Sequence, residues 1–549
     1  MTTVRTASAP TVVSAQRTVR RLIVYTLLFA LVTIGAVGLA GLLARLLEAG
    51  TQLAAGDIAA LAQSLAFTLI GGPLAAVLWW VVWRRLADET ERSSLAWGLY
   101  LAGMYAVSLI TVTSALLITA SALIEGRWQP RDFSAALVWA GIWVWHRWMW
   151  QHLHKRPVRL ATVPAVVGSA YGLVIGVGGA VTALGSLFDT AIRGSADLTM
   201  VGTPWWRFPL QALLWAVAGG AIWWWHWIHD ETRQSKTGFA NVALVTLGIL
   251  GTSILTLGGA GTILFVLLRL AFDRTDPMTG LLDPLPEAIA AAAIGSLVWF
   301  YHRRIALRRS DDTRQATTLV TSGVGLVAAA TGIGIVVNSL LATVSAPLAG
   351  ADTRTLLLGG ISALVVGGPV WWLVWKPVTP AAPSDVGSTG RRVYLIAVFG
   401  LSAVVALIAL LVVGYRVFEY LLDSATAGSL VERIRAPLGL LVATGLVSGY
   451  HFAVWRHDRE AIAAVAPARE ITIAQVVLVT GGDADAQKQV IEDATGANVT
   501  VWARSDAEGI GAAGPDAEKL TRALEGVTGR RVLVVIGPGA RVDVVPLAD

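Results

Sequence analysis

Residues 219–227 read GGAIWWWHW: two glycines, two small or apolar residues, then a block of aromatics holding His226. The phrase returns along the chain in altered form. Earlier copies run from Gly71-Gly72-Pro73 to Trp79-Trp80-Val81-Val82-Trp83, and from Gly141 to Trp143-Val144-Trp145-His146. Later ones run from Gly295 to Trp299-Phe300-Tyr301-His302, from Gly367-Gly368-Pro369 to Trp371-Trp372-Leu373-Val374-Trp375, and from Gly449-Tyr450-His451 to Trp455. Most of the 23 tryptophans fall in these six places. Tryptophan favours the headgroup region of a bilayer, where its ring is half buried and its N–H finds a partner. Six such blocks mark one membrane interface, met each time from the same side.

Working outward, each block ends a short apolar segment preceded by a basic start, a longer apolar run and a polar loop. The starts lie near Arg20, Arg92, Arg159, Arg233, Arg314 and Arg391, about 67–81 residues apart. Residues 23–44, 95–124 and 242–268 contain no charge, and about 20 apolar residues cross a hydrocarbon core. Composition agrees: 55% of the 549 residues are hydrophobic and 14% charged, against about 25% charge in soluble domains. The expected fold class is an all-α polytopic membrane protein of about 12 transmembrane helices, six parallel helical-hairpin repeats, with a small C-terminal α/β soluble domain. The expected boundaries are a flexible tail over 1–18, a membrane domain over 19–457, a linker over 458–470 and an α/β domain over 471–549. The repeats occupy about 20–90, 91–156, 157–231, 232–311, 312–388 and 389–457.

A two-helix unit returns the chain to the side it left, so all six copies share one orientation. This is parallel repetition, unlike the inverted repeats of many alternating-access transporters. Arg84-Arg85, Lys155-Arg156, Arg303-Arg304 and Arg308-Arg309 lie on the side of the N-terminus. The positive-inside rule then places both termini in the cytoplasm, and the expected location is the cytoplasmic (inner) membrane of a bacterium. The net charge of +6 thus reports topology, and nucleic acid is not an expected partner. Arg20-Arg21 reads as a juxtamembrane pair, because the run behind it is too long for an export signal.

The first helix of each copy is Gly-rich, as at Gly172, Gly176 and Gly179. Small residues let membrane helices approach closely, and packing is the expected role; hinges are the alternative. Several first helices end in an apolar residue and an acid: Leu47-Glu48, Ile124-Glu125, Phe188-Asp189, Phe272-Asp273 and Leu422-Asp423. Arg45, Arg269 and Arg416 stand one turn before Glu48, Asp273 and Glu419, the spacing of an ion pair on one helix face. A ring of acids holding a cation is the alternative.

All eight histidines lie in or just beyond the Trp-rich ends, with His146, His226 and His302 at equivalent positions. Val82, Val374 and Val454 take that place in the other copies, and His451 precedes Val454 by nearly a turn. Histidines on facing helices can ligate haem or metal, but polar tips of the aromatic belt are the simpler expectation. Asn338 is expected to make an interhelical hydrogen bond. The absence of cysteine excludes disulfides and thiolate chemistry. No HExxH, nucleophile elbow or phosphoryl-transfer signature occurs. No catalytic residue, metal ligand or cofactor is therefore expected, and cofactor-binding residues stay unassigned.

After Trp455 the composition shifts. Strands are expected at Ile473–Val479, Asn498–Ala503, Arg531–Ile536 and Val542–Val545, with helices at Ala484–Ala494 and Pro515–Val527. Alternating strands and helices imply a small, mostly parallel sheet with a final hairpin. Thr480-Gly481-Gly482-Asp483 lacks a phosphate-loop pattern and reads as a turn and N-cap.

The basic, Tyr-containing starts (Arg21 to Tyr25, Arg391 to Tyr394) and the Gly-to-Trp-Trp/His endings resemble a bacterial multi-pass membrane domain of unknown function that often occurs in tandem. The strand-turn-strand from Arg531 through Gly537-Pro538-Gly539 to Pro546 is similar to the tail of such proteins. The resemblance implies no activity. Three functions stay open: a non-enzymatic scaffold or accessory subunit presenting the α/β domain, a transporter or channel, and a haem- or metal-binding redox protein. The first is preferred, with the lipid bilayer and another membrane protein or a second copy as partners.

Overall fold

The computed structural model describes residues 12–48, 58–193, 204–345, 351–376, 388–422, 429–465, 473–481, 484–504, 516–525, 527, 529–537 and 540–547. The chain divides into two compact units, Met1–His457 and Asp458–Asp549.

The first unit is helical. Its long helices are α1 (Val12–Glu48), α2 (Ile58–Arg85), α3 (Leu95–Ile124), α4 (Pro130–Gln151), α5 (Val163–Arg193) and α6 (Arg207–Trp224). They continue with α7 (Gly238–Phe272), α8 (Leu285–Ala306), α9 (Asp311–Ser345), α10 (Ala351–Trp375), α11 (Thr389–Leu422) and α12 (Leu430–Val465). Among the described residues, ten helices are long and apolar enough to cross a membrane. Helices α4 and α6 are outside that set: α4 carries Arg131, Asp132 and Arg147 among its aromatics, and α6 gives part of its 18 residues to Arg207, Gln211 and three tryptophans.

Helix α1 starts at Val12, within the expected tail, and α12 continues to Val465, into the expected linker. Asp423 and Asp483, read above as a helix-end acid and an N-cap, lie outside the described residues.

Neighbouring helices pack as hairpins, α3 on α4, α5 on α6, α7 on α8 and α9 on α10. The glycines sit where the backbones meet. A Cβ on Gly172, Gly176 or Gly179 of α5 would run into Trp223, Gly219–Gly220 or Ala216 of α6. Gly325 and Gly332 of α9 meet Trp371 and Leu364 of α10 in the same way. Without a hydrophobic drive between helices in lipid, this close contact supplies the packing energy. The hairpins also interlock in twos: α1 packs on α4, α5 on α8, and α9 on α12 through Gly334 and Gly439.

The second unit, within residues 458–549, is a four-stranded sheet of β1 (Gln475–Thr480), β2 (Asn498–Ala503), β3 (Arg531–Ile536) and β4 (Val542–Leu547). Its order is β2-β1-β3-β4; β1 pairs parallel with β2 and β3, while β4 returns antiparallel along β3. Helices α13 (Ala484–Thr495) and α14 (Ala517–Leu524) join the parallel strands. Val476, Leu478, Ile491, Leu520, Val532 and Val534 form its core.

Candidate functional site

The Trp-rich ends gather the polar side chains of the membrane unit into one recurrent arrangement. In α4, His146 Nδ1 lies 2.7 Å from the Ile142 carbonyl, one turn back on its own helix. His226, His302 and His451 repeat the bond to Ile222, Val298 and Val447 at 2.8 Å each. A carbonyl only accepts, so Nδ1 carries the proton and Nε2 is an acceptor in each neutral ring. All four rings are buried. This corrects the sequence register for the last copy: His451, and not the position of Val454, matches the other three histidines.

What meets Nε2 differs from copy to copy. His146 accepts from the Tyr100 hydroxyl at 3.2 Å, and His226 from the Tyr105 hydroxyl at 2.6 Å. His302 packs edge-on against Trp223 and at a tilt against Trp227. Room for it comes from Gly248, in a π-helical stretch of α7 (Leu244–Gly251), where a Cβ would approach the ring to 2.9 Å. Such π turns are rare and occur mostly as single turns inside α-helices. His451 Nε2 is buried and has no hydrogen-bond partner.

Charged groups at the same ends tie one hairpin to the next. Arg21 Nε reaches Glu91 at 2.8 Å, and Tyr25 donates to the same carboxylate at 3.1 Å. Arg147 grips Asp230 with two bonds of 3.2 and 3.1 Å and also reaches Tyr105 at 3.4 Å. Asp230, Arg147, Tyr105 and His226 thus form one chain of hydrogen bonds across two hairpins.

At the opposite helix ends the acids are also engaged. Asp273 is buried, accepts from Thr355 and Thr275 at 2.7 and 2.8 Å, and lies 3.7 Å from Arg269. Burial pushes its carboxyl up, but the two hydroxyls and the cations Arg269 and Arg354 outweigh that and hold it below the usual range. Glu125 is held low by Gln211 and Arg127. Arg416 pairs with Glu419 at 2.8 Å. Asn338 accepts from Arg435 of α12 at 3.0 Å, so the interhelical bond expected of it is present, with an arginine that sequence reading did not connect to it.

Two cavities open among the helices, and the smaller reaches the histidine belt at His146. One of about 690 Å³ lies among α1–α4 and is bordered by Leu39, Trp79, Tyr100, Trp145 and His146. A larger one of about 1870 Å³ lies among α7 and α9–α12, walled by apolar side chains such as Phe265, Val324, Val366, Val405 and Val447. Its polar rim includes Asp312, Gln315, Ser388 and Tyr394.

The family model of domain of unknown function DUF5671 matches residues 21–145, 242–347 and 316–446. The first and third matches each cover one interlocked pair of hairpins. The second starts at α7 and ends in α9, offset by a hairpin, so the family unit recurs at more than one register. No curated protein and no solved structure matches the chain. With more than half of its length matched by three segments together, the chain belongs to the family of domain of unknown function DUF5671.

Proposed function

We propose that the protein is a non-enzymatic membrane scaffold or accessory subunit whose helical hairpins all cross a bacterial cytoplasmic membrane and whose α/β domain engages a partner in the cytoplasm. The observation carrying this reading is how the buried polar groups are used. His146, His226, Arg147, Asp230 and Asn338 are bonded to neighbouring helices, which is structural work. The α/β domain supports the reading too: Trp502 on edge strand β2 is 61% exposed, and exposed aromatics on an edge suit a binding face.

A transporter is the second reading, favoured by the larger cavity. Its walls are mostly apolar, which suits a lipophilic occupant better than an ion or sugar. The redox reading is weakened by the tyrosine hydroxyls on Nε2 of His146 and His226, which occupy the lone pairs a metal would need.

The test is reconstitution into vesicles, with an absorption spectrum and native mass spectrometry of the same sample. The scaffold reading expects a colourless protein, no ion or proton flux above empty vesicles, and a stoichiometric protein partner lost on Trp502→Ser. A Soret band, or flux abolished by filling the cavity, overturns it.

A further inference from the structure

The α/β domain has two unlike faces. Helices α13 and α14 pack on each other and cover one face of the sheet, where Ile491, Leu520 and Leu524 meet Val476, Leu478, Val532 and Val534. Strand side chains alternate between faces, so the residues between these point the other way. The register sets them in rows across the four strands. One row is Thr500, Val477, Leu533 and Val545; the next is Trp502, Val479, Val535 and Asp543. None of them belongs to the domain's core cluster. Trp502 is 61% exposed and Val545 47%, while Val477, Val479, Leu533 and Val535 are half-buried. A contiguous apolar patch open on a domain surface marks an interaction site.

Charge and size say what the face meets. Helices α13 and α14, with the flanking Asp516 and Glu525, carry six acids against three bases. The sheet face instead presents Arg531, in the row before Val477 and Leu533, and Arg541, bonded to Asp543 at 3.0 Å. An anionic surface repels the helix layer and attracts the sheet face, whose arginines suit phosphates. An apolar face with an exposed tryptophan and a basic edge is the composition of an interfacial anchor. Four strands about 4.8 Å apart and six residues of about 3.3 Å each make a face of about 19 by 20 Å. Two copies stacked on it would bury under about 1,000 Å², less than the roughly 1,200 Å² of a specific stable pair.

The tether permits the contact. Helix α12 runs ten residues past Trp455 to Val465, about 15 Å, and the description resumes at Ile473. Eight peptide steps reach at most about 27 Å, enough to return the sheet to the headgroup level that Trp455 is expected to mark.

We infer that the helix-free face of the α/β sheet, built on Val477, Leu533 and Trp502, docks on an anionic phospholipid surface with Arg531 at the phosphates. This goes beyond the scaffold reading and does not require it; a protein that takes Trp502 has first to lift the domain from the lipid.

The experiment uses the full-length, cysteine-free chain in nanodiscs, with one added cysteine carrying an environment-sensitive fluorophore. Thr500→Cys reports on the sheet face, and Gln489→Cys, exposed on α13, on the helix layer. In mixed dioleoylphosphatidylcholine and dioleoylphosphatidylglycerol, emission at Thr500→Cys should shift to the blue and be quenched by doxyl-labelled lipid; at Gln489→Cys it should do neither. Pure phosphatidylcholine or high salt should reduce the quenching. Arg531→Gln should shift the docking equilibrium about fivefold toward the free domain, the worth of one basic charge near an anionic surface, and Trp502→Ser should weaken docking too. Arg531 is exposed, so its replacement leaves the core intact. No shift at Thr500→Cys, equal quenching at both sites, or quenching indifferent to both Arg531→Gln and the loss of phosphatidylglycerol overturns the proposal. A blue shift that doxyl lipid does not quench shows that protein covers the face, the chain's own membrane unit or a second copy, and overturns it as well. Capture of a protein partner is scored separately, so either reading can fail alone.

Discussion

At the residue scale, several buried polar side chains tie one hairpin to another. Asp273 is the clearest case, tying the end of α7 to Thr355 of α10. Its depressed carboxyl has a consequence for acid stability. A group whose native value lies below its unfolded value of about 3.9 stabilises the fold above that pH and loses the contribution as pH falls through the native value. Asp273→Asn should therefore melt below wild type in detergent at pH 7, with the gap constant to about pH 5 and closing toward pH 3. A gap that persists undiminished at pH 3 would mean the charge is not what matters. Little of this was legible in the sequence. The Arg269–Asp273 spacing announced a pair on one helix, but Thr355 is 82 residues away. Tyr105 and His226 are 121 residues apart. Periodicity marks which residues share a face of one helix; it carries no signal for which distant helix that face meets.

At the scale of elements, the glycine pattern was legible and so was its use. Gly172, Gly176 and Gly179 fall on the face of α5 that touches α6, whereas Gly178 has open space where a Cβ would go. Gly172→Ala must push a methyl into the Trp223 backbone, an overpacking cost of about 1–3 kcal/mol. Gly178→Ala adds a methyl where nothing is met and, in a helix, removes a flexible residue. Thermal unfolding in detergent should place Gly172→Ala well below wild type and Gly178→Ala at or slightly above it; equal effects would remove the close-packing account. Strands were legible to the residue in two cases, Asn498–Ala503 and Arg531–Ile536, because β-branched runs there are bounded by turn residues. Helix ends were less so. Helix α12 passes Trp455 because Arg456 to Val465 is charged and Ala-rich, a composition that ends a membrane span without ending a helix.

At the scale of the whole molecule, the orientation of every loop turns on α4 and α6. These helices fall outside the ten because tryptophans crowd them and Arg131, Asp132 and Arg147 of α4 and Arg207 of α6 interrupt their apolar runs; such residues suit an interface. Their hydropathy is low for the same reason that they mark the membrane boundary. If both cross, the loops holding Trp128 and Asp276 face one side, and those holding His154 and Arg308 face the other. The chain contains no cysteine, so single cysteines can be read against no background. In intact cells, a membrane-impermeant maleimide should label Trp128→Cys and Asp276→Cys, and should reach His154→Cys and Arg308→Cys only after permeabilisation. If α4 instead lay along the surface, Trp128→Cys and His154→Cys would report the same side. The interlocking of α1 with α4 and of α5 with α8 argues for crossing. A helix lying flat at one interface could not follow the length of a spanning partner.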